Sequence, residues 1–362
     1  MNVKPKNLFV RVDAGIEIGD GHFLRCLTLA NRLKNKNNQI IFISNKLPKH
    51  FVEKIKRSNF KIYKINGYTH IQEEKLGEKI KKQLINNDLV ETKKIIEKYK
   101  NSTNWLIIDH YGIDYVWEKN VRVNIEKIIV IDDLANRKHR CDILIDQNFY
   151  ENMEKRYTKL IPNYCKQFIG PKFTLLRPEF FKARKNLKRK KQFKRILISF
   201  GGSDPFNETK KALLAVVDLR KKYKIDVIVG TNNPNKKQIM KLCSKISSCD
   251  FYEQVENISK YMKKADLAIG AGGTTTWERC CLGLPTIVTS TSKDQKKIAE
   301  DLSKIGCLIY LGVAKKTTKL DYVKILNEID AKKLEEISKK CLLLVDGKGV
   351  KRTVSKMFQT VN

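Results

Sequence analysis

His22 follows Gly19-Asp20-Gly21 and opens a stretch in which Phe23, Leu27 and Ala30, with Leu24, Cys26, Leu29 and Leu33, recur at helical spacing. A histidine in the first turn of a helix meets the positive end of the peptide dipoles, which disfavours imidazolium. A neutral ring there can accept a proton near neutral pH, so general-base chemistry is open to His22. Gly19 and Gly21 let the backbone come close to a bound molecule. A histidine that merely caps or packs its helix suits the same residues, but a position after Gly-x-Gly, at a strand-to-helix junction, favours the base. A nicotinamide dinucleotide is disfavoured: Leu24 stands where the fingerprint needs a third glycine, and no acid follows the next apolar run at Ser44-Asn45.

Two further glycine clusters suit anions. Ser199-Phe200-Gly201-Gly202-Ser203-Asp204-Pro205 closes an apolar run, and such a turn points N–H groups at an anion or a sugar, although it is equally an ordinary turn. Gly270-Ala271-Gly272-Gly273-Thr274-Thr275 closes another, and the free N–H groups and hydroxyls of the helix that begins there can hold a diphosphate without a metal. Glu278 lies one turn further, where a carboxylate repels phosphate but can accept both hydroxyls of a ribose. A plain capping arrangement of threonine and glutamate is the alternative. No Gly-Lys-Ser/Thr phosphate grip occurs, which argues against an ATPase. Asp109, Tyr111, Asp132 and Asp133 also follow apolar runs. Sugar-hydroxyl contacts are open to Asp109 and Tyr111, and loop capping to Asp133. Asp132 and Asp133 are adjacent and diverge in an extended segment, so a shared metal is not expected.

Short β-branched runs must position these loops. They fall at Leu8 to Val12, Ile40 to Ser44, Lys61 to Ile65, Trp105 to Asp109, Ile128 to Asp132 and Ile143 to Asp146. The second half repeats them at Arg195 to Phe200, Ile225 to Gly230, Asp250 to Tyr252, Leu267 to Gly270, Thr286 to Thr289 and Leu308 to Leu311. Alternation with longer amphipathic stretches is the pattern of βα units, and predicts an α/β protein of two Rossmann-like domains facing an interdomain cleft. The expected division is residues 1–181 with the histidine loop, a basic linker 182–194, a nucleotide-binding domain 195–345, and a tail 346–362.

The chain of 362 residues is long enough for about two cores of roughly 150 residues each. Its 73 Lys and Arg against 39 Asp and Glu leave a net charge of +34, which admits nucleic acid, acidic lipid or a phosphorylated ligand as partner. The excess is mostly lysine spread along the chain, and the densest run, Lys182 to Lys194, has no interleaved aromatic before Phe193. It lacks the stacking platform of a single-strand binder, and no nucleic-acid partner is expected. Nine cysteines form no C-x-x-C pair, which predicts a reduced cytoplasmic setting without a zinc finger. No apolar stretch approaches a membrane span, so no stable membrane insertion is expected, and no obligate protein partner is inferred.

Taken together these blocks resemble the PseG family, the UDP-2,4-diacetamido-2,4,6-trideoxy-β-L-altropyranose hydrolases of pseudaminic acid biosynthesis. The resemblance rests on Arg11 to Cys26, Ile131 to Ala135, Cys141-Asp142, Asp146 to Asn148, Leu175 to Phe180, Ser199 to Pro205 and Trp277 to Pro285. It implies a fold similar to the GT-B glycosyltransferases such as MurG, acting on a UDP-sugar with water as acceptor and with neither metal nor cofactor. His22 would activate the water. Gly273, Thr274 and Thr275 would hold the diphosphate, Glu278 the ribose, and backbone near Val255 to Ile258 the uracil. Asp13, Tyr111 and Ser203 would contact the sugar, with Gly19 and Gly21 beside it. Where relatives commonly show Asn-Gln, this chain has Asp294-Gln295; both are carried as substrate contacts, although Asp294 brings a negative charge near an anionic leaving group.

Overall fold

The computed structural model describes residues 6–15, 18–67, 77–185, 187–189, 192–219 and 223–359. The chain forms two compact units, one of residues 1–148, 152–175 and 349–362, the other of residues 149–151 and 176–348.

The first unit runs β1 (Asn7–Val12), α1 (Gly21–Leu33), β2 (Gln39–Ser44), α2 (Lys49–Arg57), β3 (Lys61–Lys64), α3 (Glu78–Glu97), β4 (Asn104–Asp109), α4 (Tyr115–Val121), β5 (Lys127–Ile131), β6 (Ile143–Asp146) and β7 (Lys166–Ile169). Its seven strands are parallel in the order β3-β2-β1-β4-β5-β6-β7. Every residue of β1 is buried, as a parallel strand covered on both faces requires. Side chains alternate between faces: Leu8, Val10 and Val12 join one core with Phe23 and Leu29, while Phe9 joins the other with Ile41 and Leu106.

The second unit runs α5 (Pro178–Lys185), β8 (Arg195–Ser199), α6 (Glu208–Asp218), β9 (Lys224–Val229), α7 (Lys236–Cys243), β10 (Cys249–Glu253), α8 (Ser259–Lys264), β11 (Leu267–Ala271), α9 (Thr275–Cys281), β12 (Thr286–Ser290), α10 (Lys293–Lys304), β13 (Ile309–Val313), α11 (Lys319–Glu328) and α12 (Ala331–Leu344). Its six strands are parallel in the order β10-β9-β8-β11-β12-β13. The alternation recurs, with Ile196 and Ile198 in one core and Leu197 in the other.

The expected strands are present, with ends shifted by at most two residues. β7 is an additional strand, short and buried only at Phe168 and Ile169, so its sequence carries little alternation. The division between units differs from the one expected. Residues 349–359 return to the first unit, where α13 (Gly349–Met357) sets Met357 in its core, so they are no loose tail; residues 360–362 of the expected tail lie outside the described residues. The basic run from Lys182 is no simple linker either. It begins inside α5, and Arg184 donates to the carbonyls of Cys281, Leu342 and Val345. Arg189 donates to Leu282, Ala265 and Met262, and burial brings its guanidinium down to about 10. Lys190 and Lys191 of that run lie outside the described residues.

Candidate active site

Each sheet reverses its strand order at one place, between β1 and β4 in the first unit and between β8 and β11 in the second. Open α/β sheets leave a crevice outside the carboxyl ends of the strands at that reversal. His22 and Asp109 follow β1 and β4; Ser203 and Gly273 follow β8 and β11.

In the first unit, Gly15 and Gly19 take φ of +152° and +88°, which turns the chain from β1 into α1. Ile16 and Glu17 of this loop lie outside the described residues. His22 is buried in the first turn of α1, and its Nδ1 lies 2.6 Å from Asp109 Oδ1. Arg25 Nε donates to Asp109 Oδ2 at 2.6 Å and its Nη2 to Oδ1 at 2.7 Å. Nη2 also passes 3.2 Å from His22 Nδ1, the longer of its two approaches. Burial alone would raise the Asp109 carboxyl, but the Arg25 cation and His22 outweigh it and hold the group well below the usual carboxylate range. An ionised oxygen accepts only, so the ring proton belongs on Nδ1 and Nε2 keeps its lone pair. The Tyr111 ring stands edge-on to the imidazole at 4.8 Å. Its hydroxyl donates to Asp133 Oδ1 at 2.7 Å, and Asp133 Oδ2 accepts from Arg25 Nη1 at 2.9 Å.

Three residues of this unit have roles other than those expected. Asp109 orients His22 and Arg25 instead of meeting a sugar. Asp133 joins Arg25 to Tyr111 instead of capping its own loop. Asp13 is a buried tie: Oδ1 accepts from Ser44 Oγ at 2.8 Å and from the N–H groups of Asn45 and Lys46, while Oδ2 accepts from Arg11 at 3.0 Å. Burial would raise its carboxyl, but Arg11 and His110 drive it far below the ordinary range. With its oxygens engaged this way, Asp13 fixes the end of β1 against the end of β2 and offers no acceptor to a sugar.

In the second unit, Gly201, at φ +83°, and Gly202 are exposed and Ser203 is half-buried. The helix behind them is already capped, because Asp204 accepts from the N–H groups of Glu208 and Thr209, both at 2.9 Å. The loop after β11 differs. Its first turn bonds run from Thr276 N to Gly273 O and from Trp277 N to Thr274 O, and Thr274 makes no side-chain cap. The N–H groups of Gly273, Thr274 and Thr275 precede that ladder and suit an anion. Gln295 Oε1 accepts from Gly272 N at 3.2 Å and Thr291 N at 3.0 Å, which leaves its amide nitrogen on the Gly273 side. Asp294 is exposed in the first turn of α10, where a carboxylate complements the helix dipole; that accounts for it without a substrate. Glu278 Oε1 accepts from Arg177 Nη2 at 3.0 Å, and Oε2 is buried without a partner among the described residues. Burial raises its carboxyl against the pull of Arg177.

Sequence reading missed Arg25, Arg177 and Arg279. The spacing of Arg25 from His22, one helical turn, was the available signal. Arg279 is buried under the second loop, donating to Ala271 O at 2.6 Å and Thr276 Oγ1 at 3.0 Å, and burial lowers it to about 10. Among the described residues no cluster of three or more His, Cys, Asp or Glu side chains is placed to hold a metal ion.

Residues 196–346 match the glycosyltransferase family 28 C-terminal domain. The whole chain resembles MurG of Acinetobacter baumannii with a TM-score of 0.64 and 14% identity, covering 97% of this chain and 99% of that one. Two parallel Rossmann-like sheets with this likeness define the GT-B fold. The chain is 30% identical over 203 residues to the UDP-2,4-diacetamido-2,4,6-trideoxy-β-L-altropyranose hydrolase of Campylobacter jejuni, 56% of this chain and 71% of that protein. It belongs to that hydrolase's family. It is also 24% identical to the spore coat polysaccharide biosynthesis protein SpsG of Bacillus subtilis, over 95% of each chain. Uncharacterized protein MJ1062 of Methanocaldococcus jannaschii is 30% identical over 81% of this chain, which spans 57% of that protein's length.

Proposed function

We propose that the protein is a UDP-sugar hydrolase that converts UDP-2,4-diacetamido-2,4,6-trideoxy-β-L-altropyranose to UDP and 2,4-diacetamido-2,4,6-trideoxy-L-altrose, in the cytoplasm, as a step of pseudaminic acid biosynthesis. The observation that carries this reading is the His22–Asp109 pair at 2.6 Å, which gives the ring an acceptor nitrogen at the sheet's reversal point. Water attacks the anomeric carbon and gives its proton to His22 Nε2. The C–O bond to the diphosphate breaks, its electron pair leaves with UDP, and the configuration inverts. Asp109 stabilises the imidazolium that forms, as in other oriented His–carboxylate pairs.

Gly273, Thr274, Thr275 and the Gln295 amide would hold the diphosphate, and Glu278 Oε2, which has no partner among the described residues, the ribose. Tyr111 and Ser203 remain candidates for the sugar, with Gly19 and Gly21 allowing close approach. Neither metal nor cofactor enters this scheme.

The test is UDP release from the UDP-sugar alone, in water enriched in oxygen-18. Release without acceptor, with the label in the sugar, supports the reading; label in UDP would mean P–O cleavage and overturn it. A glycosyltransferase is the second reading, favoured by the family 28 domain match. It requires an acceptor for release, so the same assay separates the two.

A further inference from the structure

We propose that Arg25 is a positioning residue that holds His22 in the one tautomer able to act as a base. The catalytic consequence rests on the hydrolase reading; the tautomer does not.

The imidazole meets Asp109 from β4, Arg25 from α1 and Tyr111 from the loop after β4; behind them stand Cys26 of α1, on Asp109, and Asp133 of the loop after β5, on Arg25 and Tyr111. Arg25 is buried, and its planar fork reaches two of them at once. Nε and Nη2 grip both oxygens of Asp109, while Nη1 takes Asp133, the acceptor for Tyr111. One guanidinium therefore fixes the carboxylate beneath the ring and the tyrosine beside it.

Without the fork, the Asp109 carboxylate could turn about its own axis. The Cys26 thiol, 3.5 Å from Oδ2, competes for it, and Oδ1 would no longer be aimed at His22 Nδ1. The ring would then be free to carry its proton on Nε2, the nitrogen a base needs empty. A lysine ammonium keeps the charge, but it has no planar pair of donors to set the carboxylate plane and reach Asp133 together.

The experiment uses the full chain with ¹⁵N-labelled histidine, and His22→Asn identifies the His22 ring signals by their loss. Long-range ¹H–¹⁵N correlation in the resting wild type should show the Nδ1–H form of His22 alone. Arg25→Lys should give a mixture with Nε2–H and lower kcat by about tenfold or more, with KM and UDP affinity within about twofold of wild type. Asp133→Asn, which disturbs the arm through Asp133 to Tyr111 and leaves the grip of Arg25 on Asp109, should keep the Nδ1–H form and lose less rate. An Nε2–H form in the wild type, or Arg25→Lys with an unchanged tautomer and full kcat, overturns the proposal. Where Arg25→Lys does not fold, Arg25→Gln, which also lacks the fork, carries the same tautomer readout. If the wild type releases no UDP from the diacetamido sugar, the hydrolase reading fails while comparison of the wild-type and Arg25→Lys spectra still judges Arg25.

Discussion

At the scale of single residues, the hydrolase reading gives catalysis to His22 and nucleotide binding to Glu278. Removing a general base costs about 10²–10⁴-fold in rate. His22→Asn should lose turnover in that range while UDP titration by calorimetry stays within about twofold of wild type; retained turnover would place the base elsewhere. Glu278→Ala should weaken UDP by about tenfold, the worth of one hydrogen bond to a charged group. An unchanged dissociation constant would remove Glu278 from the ribose. Burial also raises Asp146 to about 7 against the pull of Arg156, with Asp133 adding to the rise. An unfolded aspartate titrates near 4, so between those values the folded state holds a proton that the unfolded state has released. The contribution to stability is complete below about pH 4 and lost as pH rises through about 7. Melting temperatures at about pH 5 and about pH 8 should fall less in Asp146→Asn than in wild type, and equal falls would refute the shift. His22 stands out in the sequence because its glycines are local to it. Asp109 was visible as a carboxylate after a strand, but its role was not, because that role depends on Arg25, which is 84 residues away.

At the scale of elements, two packings decide how the loops are held. The backbone just after β9 runs so close to the loop after β8 that a methyl group on Gly230 would overlap the carbonyl of Gly202. Gly230→Ala should therefore displace the Gly201–Ser203 turn and destabilise the protein by about 1–3 kcal/mol, read as a shift in denaturant midpoint. A neutral result would mean that the turn yields freely. The inner strands were legible because each is an apolar run buried along most of its length, and β1 shows this at every residue, whereas the edge strands β3, β10 and β13 have no fully buried residue. β7 and α13 were not. The residues of β7 include only two that are buried, and α13 finds its partners far away in the chain, where Phe358 stacks on Trp105 at 5.3 Å. The basic run misled for a related reason. Composition counts Arg184 and Arg189 with the lysines, but a guanidinium can collect several buried carbonyls through its fork.

At the scale of the whole molecule, charge and cores are separable. Arg11, Arg25 and Arg279 are buried while no described lysine is, so the lysine excess behind the +34 lies toward solvent and leaves the interior to arginine. The cores fall into two sets that follow the two units, with Met357 of α13 in the first and the residues around α9 in the second. Chains with separate cores need not melt as one. Scanning calorimetry should therefore resolve two transitions, and two perturbations assign them. UDP at about a hundred times its dissociation constant adds about 2.7 kcal/mol to the unit that binds it, which is about 5–10 °C for a unit of this size. That shift should appear in one transition only. Truncation after Lys348 removes Met357 from the first core and should lower the other transition by about 5 °C or more, since full burial of one such side chain is worth about 1.5–3 kcal/mol. If UDP moved the transition that truncation lowers, the nucleotide would belong to the first unit, and the assignment of Gly273, Thr274 and Glu278 to the nucleotide would fall with it.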